Sequence, residues 1–181
     1  MHMSGNEERK TIALLGAFCL FLSTVEYMIP KPLPFMRIGI ANLPIMLAID
    51  ILPFHAFIIL VLIKIIGQAL VTGTLFSYVF LFSLAGTITS ALSMYLLRKV
   101  FGKKNLSFIG IGTFGALLSN LTQLALAFLL IFGESVRFFA PPFLTAGLVT
   151  GAALGLFCEL FISRSDWYRT RLSGEGKDYL L

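Results

Sequence analysis

The sequence predicts an all-α integral membrane protein with six transmembrane helices, and three observations favour this fold class. Hydrophobic residues make up 57% of the 181 residues and charged residues only 13%, with a mean hydropathy of +0.91. Soluble proteins carry about a quarter of their residues as charged ones. Apolar runs close to the roughly 20 residues of a spanning helix recur along the chain. The basic residues between these runs are unevenly distributed.

Six apolar runs are the predicted helices. They cover residues 11–28, 38–53, 56–72, 76–97, 106–132 and 138–162. The second run is short and contains Pro44, so we expect it to be tilted, broken or only partly spanning. Three prolines predict a stiff, shaped first loop at residues 29–37. The chain then divides into a tag remnant and polar tail (1–10), a six-helix membrane domain (11–163) and a basic cytoplasmic tail (164–181).

The charge pattern predicts the orientation in the cell (cytoplasmic) membrane. With six spans and the amino terminus inside, ten basic residues face the cytoplasm and three face outwards, a positive-inside bias that places both termini in the cytoplasm. An odd number of spans would split the basic residues between the two sides. The cytoplasmic residues are Arg9, Lys10, Arg98, Lys99, Lys103, Lys104, Arg164, Arg169, Arg171 and Lys177, and the outer ones are Lys31, Arg37 and Arg137.

Lys64 is the one basic residue placed inside an apolar run, eight residues from each end of the run at 56–72. A charge at that depth costs at least a few kcal/mol, so we expect it to face the bundle interior and to have a partner there. Gln68 follows one turn later on the same helical face. The alternative is a lysine that snorkels to the membrane surface, which its central position disfavours.

Other polar residues inside the apolar runs extend this candidate site. Asn120 and Gln123 lie in the fifth run, where hydrogen bonding between helices is the alternative role. For Asp50 and His55 we expect only an interfacial turn. The predicted substrate-binding set is Arg37, Asn42, Lys64, Gln68, Asn120 and Gln123. Cations and amides together fit an anionic or polar ligand, with Tyr27, Phe35 and Phe138 available to pack a ring or chain.

The chain is predicted not to be an enzyme on its own and to need no cofactor or metal. Its three aspartates form no pair that could hold the Mg²⁺ of diphosphate chemistry. P-loop, HExxH and GxSxG motifs and Cys/His clusters are missing from the sequence. Because no ATP site is evident, active transport would need separate ATPases. The net charge of +5 follows the membrane topology and does not indicate nucleic acid.

Small residues recur at the spacing that brings helices close together in lipid. Gly147, Gly151 and Gly155 form a glycine ladder on the last predicted helix, where tight internal packing is expected. Ala13 and Ala17 on the first helix have the same spacing, and internal packing is again the default role on spacing alone.

Several segments together resemble the heptaprenyl diphosphate synthase component I family, which is grouped with the Gx transporters. They are RIGIANLP at 37–44, Gly73-Thr74, SLAGT at 83–87, IGIGTFGA at 109–116, Ser119-Asn120 with Gln123, and Pro142 before the glycine ladder. The Gx transporters are similar to substrate-binding (S) components of energy-coupling factor (ECF) transporters. The resemblance covers roughly residues 11–156.

The resemblance implies a six-helix S subunit that captures a small vitamin- or cofactor-like molecule from outside. Such a subunit docks on a transmembrane T component driven by two cytoplasmic ATPases. Ala13 and Ala17 match the small-residue pattern of the docking surface on the first helix, and the first loop corresponds to a lid. Two positions depart from the expected pattern: Lys64 replaces an arginine, and Ser119 replaces a histidine.

Three functions from different classes follow from these observations. The first is an ECF-type S subunit. The second is a non-catalytic accessory subunit beside a separate prenyl diphosphate synthase. The third is a self-standing channel or structural membrane protein, which is disfavoured because few polar residues are available to line a continuous water path.

Overall fold

The computed structural model describes residues 5–30 and 39–173, and every regular element within these ranges is helical. This confirms the predicted all-α class. The main helices are α1 (Gly5–Met28), α2 (Leu43–Ala48), α3 (Phe54–Val71), α4 (Tyr78–Asn105), α5 (Phe108–Ala127), α6 (Val136–Arg164) and α7 (Asp166–Ser173). A 3-10 turn (Ile40–Asn42) precedes α2, and a π-helical stretch (Phe128–Phe132) with a 3-10 turn (Gly133–Ser135) joins α5 to α6.

Four helical stretches of the described chain are long and apolar enough to cross a membrane. They are Gly5–Met28, Phe54–Val71, Tyr78–Gly102 and Phe108–Arg164. The last has 57 residues and contains both α5 and α6, which pack antiparallel against each other. Several apolar helices therefore indicate a multi-pass membrane protein, whereas the number of six crossings and their orientation stay predictions.

The second predicted span contains only a short helix. The six residues of α2 are about 9 Å long, and all six are buried. The segment around α2 nevertheless runs the length of α1. The backbone N–H of Gly39 donates to Glu26 at 3.2 Å, and His55 Nε2 lies 2.8 Å from Glu8. Glu8 and Glu26 are separated by about 27 Å along α1, because each helical residue rises 1.5 Å.

Glycines allow the backbones of α5 and α6 to touch, as the glycine ladder predicts. A Cβ added to Gly151 would lie 2.7 Å from the carbonyl oxygen of Gly112, and one added to Gly155 would lie 2.4 Å from Ile109 Cα. No side chain fits at such distances. This close contact fixes α5 and α6 as one antiparallel pair. A neighbouring face of α5 packs on α4, where Gly115 meets Met94 and Gln123 meets Gly86.

A buried ion pair closes one end of the bundle. Arg98 donates to both carboxylate oxygens of Asp50, with Nε–Oδ1 at 3.0 Å and Nη2–Oδ2 at 2.6 Å. The side chains are 9% and 5% exposed, and the guanidinium lies 4.6 Å from the ring centroid of Phe108. Asp50 is in a turn, as expected, but its pairing with Arg98 of α4 was not predicted. His55, by contrast, is 67% exposed beside Glu8.

The start of the predicted basic tail forms α7, which packs back onto the same end of the bundle. Tyr168 is completely buried, and burial raises the pKa of its phenol. Arg171 forms an ion pair with Glu7 of α1, so α7 lies beside the first turns of α1. The described chain therefore begins and ends at one end of the bundle.

Candidate functional site

A small cavity of about 30 Å³ lies inside the bundle, among α1, α2, α3, α4, α5 and α6. Four of the six predicted binding residues line it. These are Asn42, Lys64, Gln68 and Asn120. Their positions are far apart in the chain, so the fold brings together polar groups that the sequence distributes over three apolar runs.

Lys64 is the cation that the described residues contribute to this site. Its side chain is 2% exposed and projects from α3, about 15 Å from the start of that helix. Its ammonium donates to Asn42 Oδ1 at 3.1 Å and to Thr87 Oγ1 at 3.0 Å. The prediction that Lys64 faces inwards and has partners is confirmed, and the snorkelling alternative is wrong.

Gln68 supplies the neighbouring amide. It lies one turn after Lys64 on α3, is 3% exposed and lines the cavity. Its Oε1 is buried and has no hydrogen-bond partner within residues 5–30 and 39–173. A buried amide oxygen without a partner costs about 1–3 kcal/mol, so it favours a molecule that can donate a hydrogen bond here.

Asn120 and Gln123 have different positions on α5. Asn120 Nδ2 donates to the carbonyl of Phe143 at 3.0 Å and packs on Gly147, where a Cβ would lie only 1.9 Å away. Asn120 thus connects α5 to α6 while lining the cavity. Gln123 lies beside the cavity: its Nε2 donates at 3.2 Å to Ser119, which lines it.

Glu26 and Thr87 belong to the site although neither is among the predicted binding residues. The Glu26 carboxylate is 1% exposed, lines the cavity and accepts from the backbone N–H groups of Gly39 at 3.2 Å and Ala41 at 3.3 Å. A carboxylate near the carboxyl end of an apolar helix was the available signal, because that position disfavours negative charge. Thr87 gave no signal, since threonine often bonds its own helix in lipid.

Other expected contributors are outside this arrangement. Arg37 and Phe35 lie outside the described residues. Tyr27 and Phe138 are 60% and 81% exposed and do not line the cavity. The described walls supply aliphatic contacts instead, with Met46, Met94 and Leu154 among them.

The cavity can hold about two water molecules, since one needs roughly 10–15 Å³ by this measure. Its chemistry is mixed: an ammonium, a carboxylate, three carboxamides and the hydroxyls of Thr87, Ser90, Ser119 and Thr150 line it. Such a site can bind a polar molecule in a definite orientation. No group of three or more His, Cys, Asp or Glu residues able to hold a metal occurs in the described part of the chain.

The sequence model of the family described as heptaprenyl diphosphate synthase component I matches residues 15–161. The chain belongs to this family. Component I is a non-catalytic subunit of the synthase, which supports the prediction that the chain is not itself an enzyme. The family also implies a partner subunit. No curated protein and no solved structure matches the chain.

Proposed function

We propose that the protein is the membrane-embedded S subunit of an ECF-type importer in the cell (cytoplasmic) membrane. The observation that carries the proposal is the convergence of Lys64, Asn42, Gln68 and Asn120 on one buried cavity inside an apolar bundle. Intramembrane cations and amides are costly, and their usual role is in substrate or ion pathways. The ligand is a small vitamin- or cofactor-like molecule with an anionic or polar group.

In this proposal the ligand replaces the internal partners of Lys64. A carboxylate, phosphate or carbonyl oxygen would accept from the ammonium in place of Asn42 or Thr87, and a neighbouring N–H or O–H would donate to Gln68 Oε1. Arg37 would add a second cation. Because the cavity has room for about two waters, a larger ligand requires the walls to move apart.

The first loop is the segment proposed to move. Glu26 holds the described end of that loop through the backbone of Gly39 and Ala41, and both Glu26 and Gly39 line the cavity. Gly39 has a φ of 88°, a conformation that favours glycine. Opening the cavity at this end would break these two hydrogen bonds, which is the movement expected of a lid.

Six crossings, counting the segment around α2 as one, place the lid outside and both termini in the cytoplasm. Ala13 and Ala17 are both exposed on α1, one turn apart, and form the docking surface for a T component that works with two ATPases.

Native mass spectrometry of the detergent-purified protein tests the binding function. We expect a stoichiometric polar or anionic compound that survives gentle detergent removal and appears in a denaturing extract. Only bulk lipid in both spectra, from several growth conditions, would contradict the binding role.

Replacing Ala13 and Ala17 by leucine should prevent docking. Leucine on this exposed face would hold a partner helix away, since close helix contact in lipid needs small residues. In affinity purification from cells, Ala13→Leu/Ala17→Leu should lose a T component and ATPases that the wild type recovers. The control is Val149→Leu on α6, where the side chain is 69% exposed and a branched residue is already present. Equal recovery by both variants would remove Ala13 and Ala17 from the interface.

The family description favours a second candidate, a non-catalytic accessory subunit in isoprenoid synthesis. The same affinity purification separates the two. Recovery of a soluble prenyl diphosphate synthase subunit, without ATPases, would support the accessory role and contradict the importer.

A further inference from the structure

An apolar groove of about 420 Å³ lies on the surface of the bundle beside α1. Apart from Ala17, the residues lining it are leucine, phenylalanine and tryptophan, contributed by α1, α2, α6 and α7. Its two ends on α1 are Leu14 and Phe21, which are 55% and 62% exposed. The volume is within the 300–1,000 Å³ range typical of sites for small molecules. In a membrane this groove is open to lipid.

Two cations lie together just beyond the groove. Lys10 precedes Leu14 by one turn on the same face of α1, and Arg171 follows Trp167 by one turn on the same face of α7. Both bind one carboxylate: Lys10 Nζ lies 3.3 Å from Glu7, and Arg171 forms an ion pair with it. The Arg171 guanidinium is also 5.9 Å from the Trp167 ring centroid. Two cations sharing one carboxylate leave a net positive charge at this position.

We infer that the groove binds one anionic phospholipid, with an acyl chain against the apolar walls and the phosphate at Lys10 and Arg171. Tryptophan is enriched at membrane surfaces, and basic clusters there attract anionic headgroups. On both α1 and α7, a cation lies one turn beyond the apolar side chains of the groove. A phospholipid has the same order of groups, with its acyl chains next to a charged phosphate. Ala17 also belongs to the docking surface proposed above, so the inference concerns the protein without a docked T component. The other walls are large side chains, which fit a flexible acyl chain better than a partner helix, whose close contact needs small residues.

Trp167 is the single tryptophan of the chain, so its fluorescence reports directly on the groove. The full chain would be reconstituted in vesicles of phosphatidylcholine mixed with phosphatidylglycerol of the same chain length. One of the two lipids at a time would be brominated in the upper half of its acyl chains. We expect brominated phosphatidylglycerol to quench Trp167 with an about fivefold higher apparent affinity than brominated phosphatidylcholine, the effect of about one basic side chain at an anionic surface.

Matched double variants separate the site from general surface charge. Lys10→Gln/Arg171→Gln should abolish the preference for phosphatidylglycerol while quenching by both lipids persists. Arg9→Gln/Arg164→Gln removes the same charge from exposed residues near the same end and should keep the preference. Thermal unfolding of each variant checks that the fold is retained.

Three results would overturn the inference. They are equal quenching of the wild type by the two lipids, an equal loss of preference in both double variants, and absence of quenching by either lipid. The last result would mean that a protein surface, from a second copy or a partner, covers the groove. If Lys10→Gln/Arg171→Gln fails to fold, high salt applied to the wild type provides the same test, because screening should reduce the preference towards unity.

Discussion

Lys64→Met should weaken binding of the co-purified ligand by at least about tenfold while leaving the protein folded. A hydrogen bond to a charged group contributes about 1.5–3 kcal/mol, and this variant removes the one described ammonium that lines the cavity. Methionine keeps a long unbranched side chain in the same space. The variant should still fold but should lose about 1–3 kcal/mol of stability, because Asn42 Oδ1 and Thr87 Oγ1 lose the donor that they share.

Two further variants test whether the loss of binding in Lys64→Met is specific to the charge at this position. Lys64→Arg keeps the charge and should retain part of the binding, since guanidinium differs from ammonium in shape and hydrogen-bond geometry. Lys99→Met makes the same chemical change at an exposed lysine and should bind normally. Ligand content would be measured by native mass spectrometry, and folding by thermal unfolding in detergent. Wild-type ligand content in Lys64→Met would place Lys64 in a structural role.

The sequence was sufficient for the fold class because each long helix buries only part of its surface and still consists almost entirely of apolar residues. That composition has no counterpart in soluble proteins. It was insufficient for the second span, where six helical residues and irregular backbone together run the length of α1. Hydropathy detects apolar residues but cannot distinguish a regular helix from a short one whose neighbours satisfy its backbone. Pro44 was the signal that the helix would be irregular, and it lies in the first turn of α2.

The prediction of the candidate site started from Lys64, whose charge has the highest free-energy cost inside a membrane. A lysine inside an apolar run is rare enough to locate the site, and Gln68 followed from helical spacing. Glu26 was missed because it is close to the end of its predicted helix, where a charge can reach the membrane surface. Only the fold reveals that the chain returns at Gly39 to cover this carboxylate. Thr87 could not be found, because its role depends on which face of α4 meets α3.

The same reasoning explains why the sequence did not reveal the pair of Asp50 and Arg98. Arg98 was assigned to the cytoplasmic side and Asp50 to an interfacial turn, and charges are ordinary in both places. The fold instead covers them with α7, whose Tyr168 packs against this end of the bundle and is completely buried. At 9% and 5% exposure the two side chains are largely removed from water, so each depends on the other for compensation.

Arg98→Met should therefore destabilise the protein strongly, by about 3–5 kcal/mol, because it leaves the buried carboxylate of Asp50 without its bidentate partner. The variant also removes the bond to the carbonyl of Leu106 and the contact with Phe108, which hold the turn between α4 and α5. The free energy of unfolding, measured by denaturant titration in mixed micelles, should fall accordingly. The matched control is Arg137→Met, since Arg137 pairs with Glu134 at 64% and 81% exposure.

The control variant Arg137→Met should change the free energy of unfolding by less than about 1 kcal/mol, because exposed ion pairs contribute little. The double variant Arg98→Met/Asp50→Leu should recover much of the loss, because no uncompensated charge then remains in the low-dielectric interior. A double variant as unstable as Arg98→Met would mean that the Leu106 and Phe108 contacts, and not the charge pair, hold this end together. Recovery would instead show that the pair's main effect is conditional: it adds little over an apolar contact, yet neither partner can be removed alone.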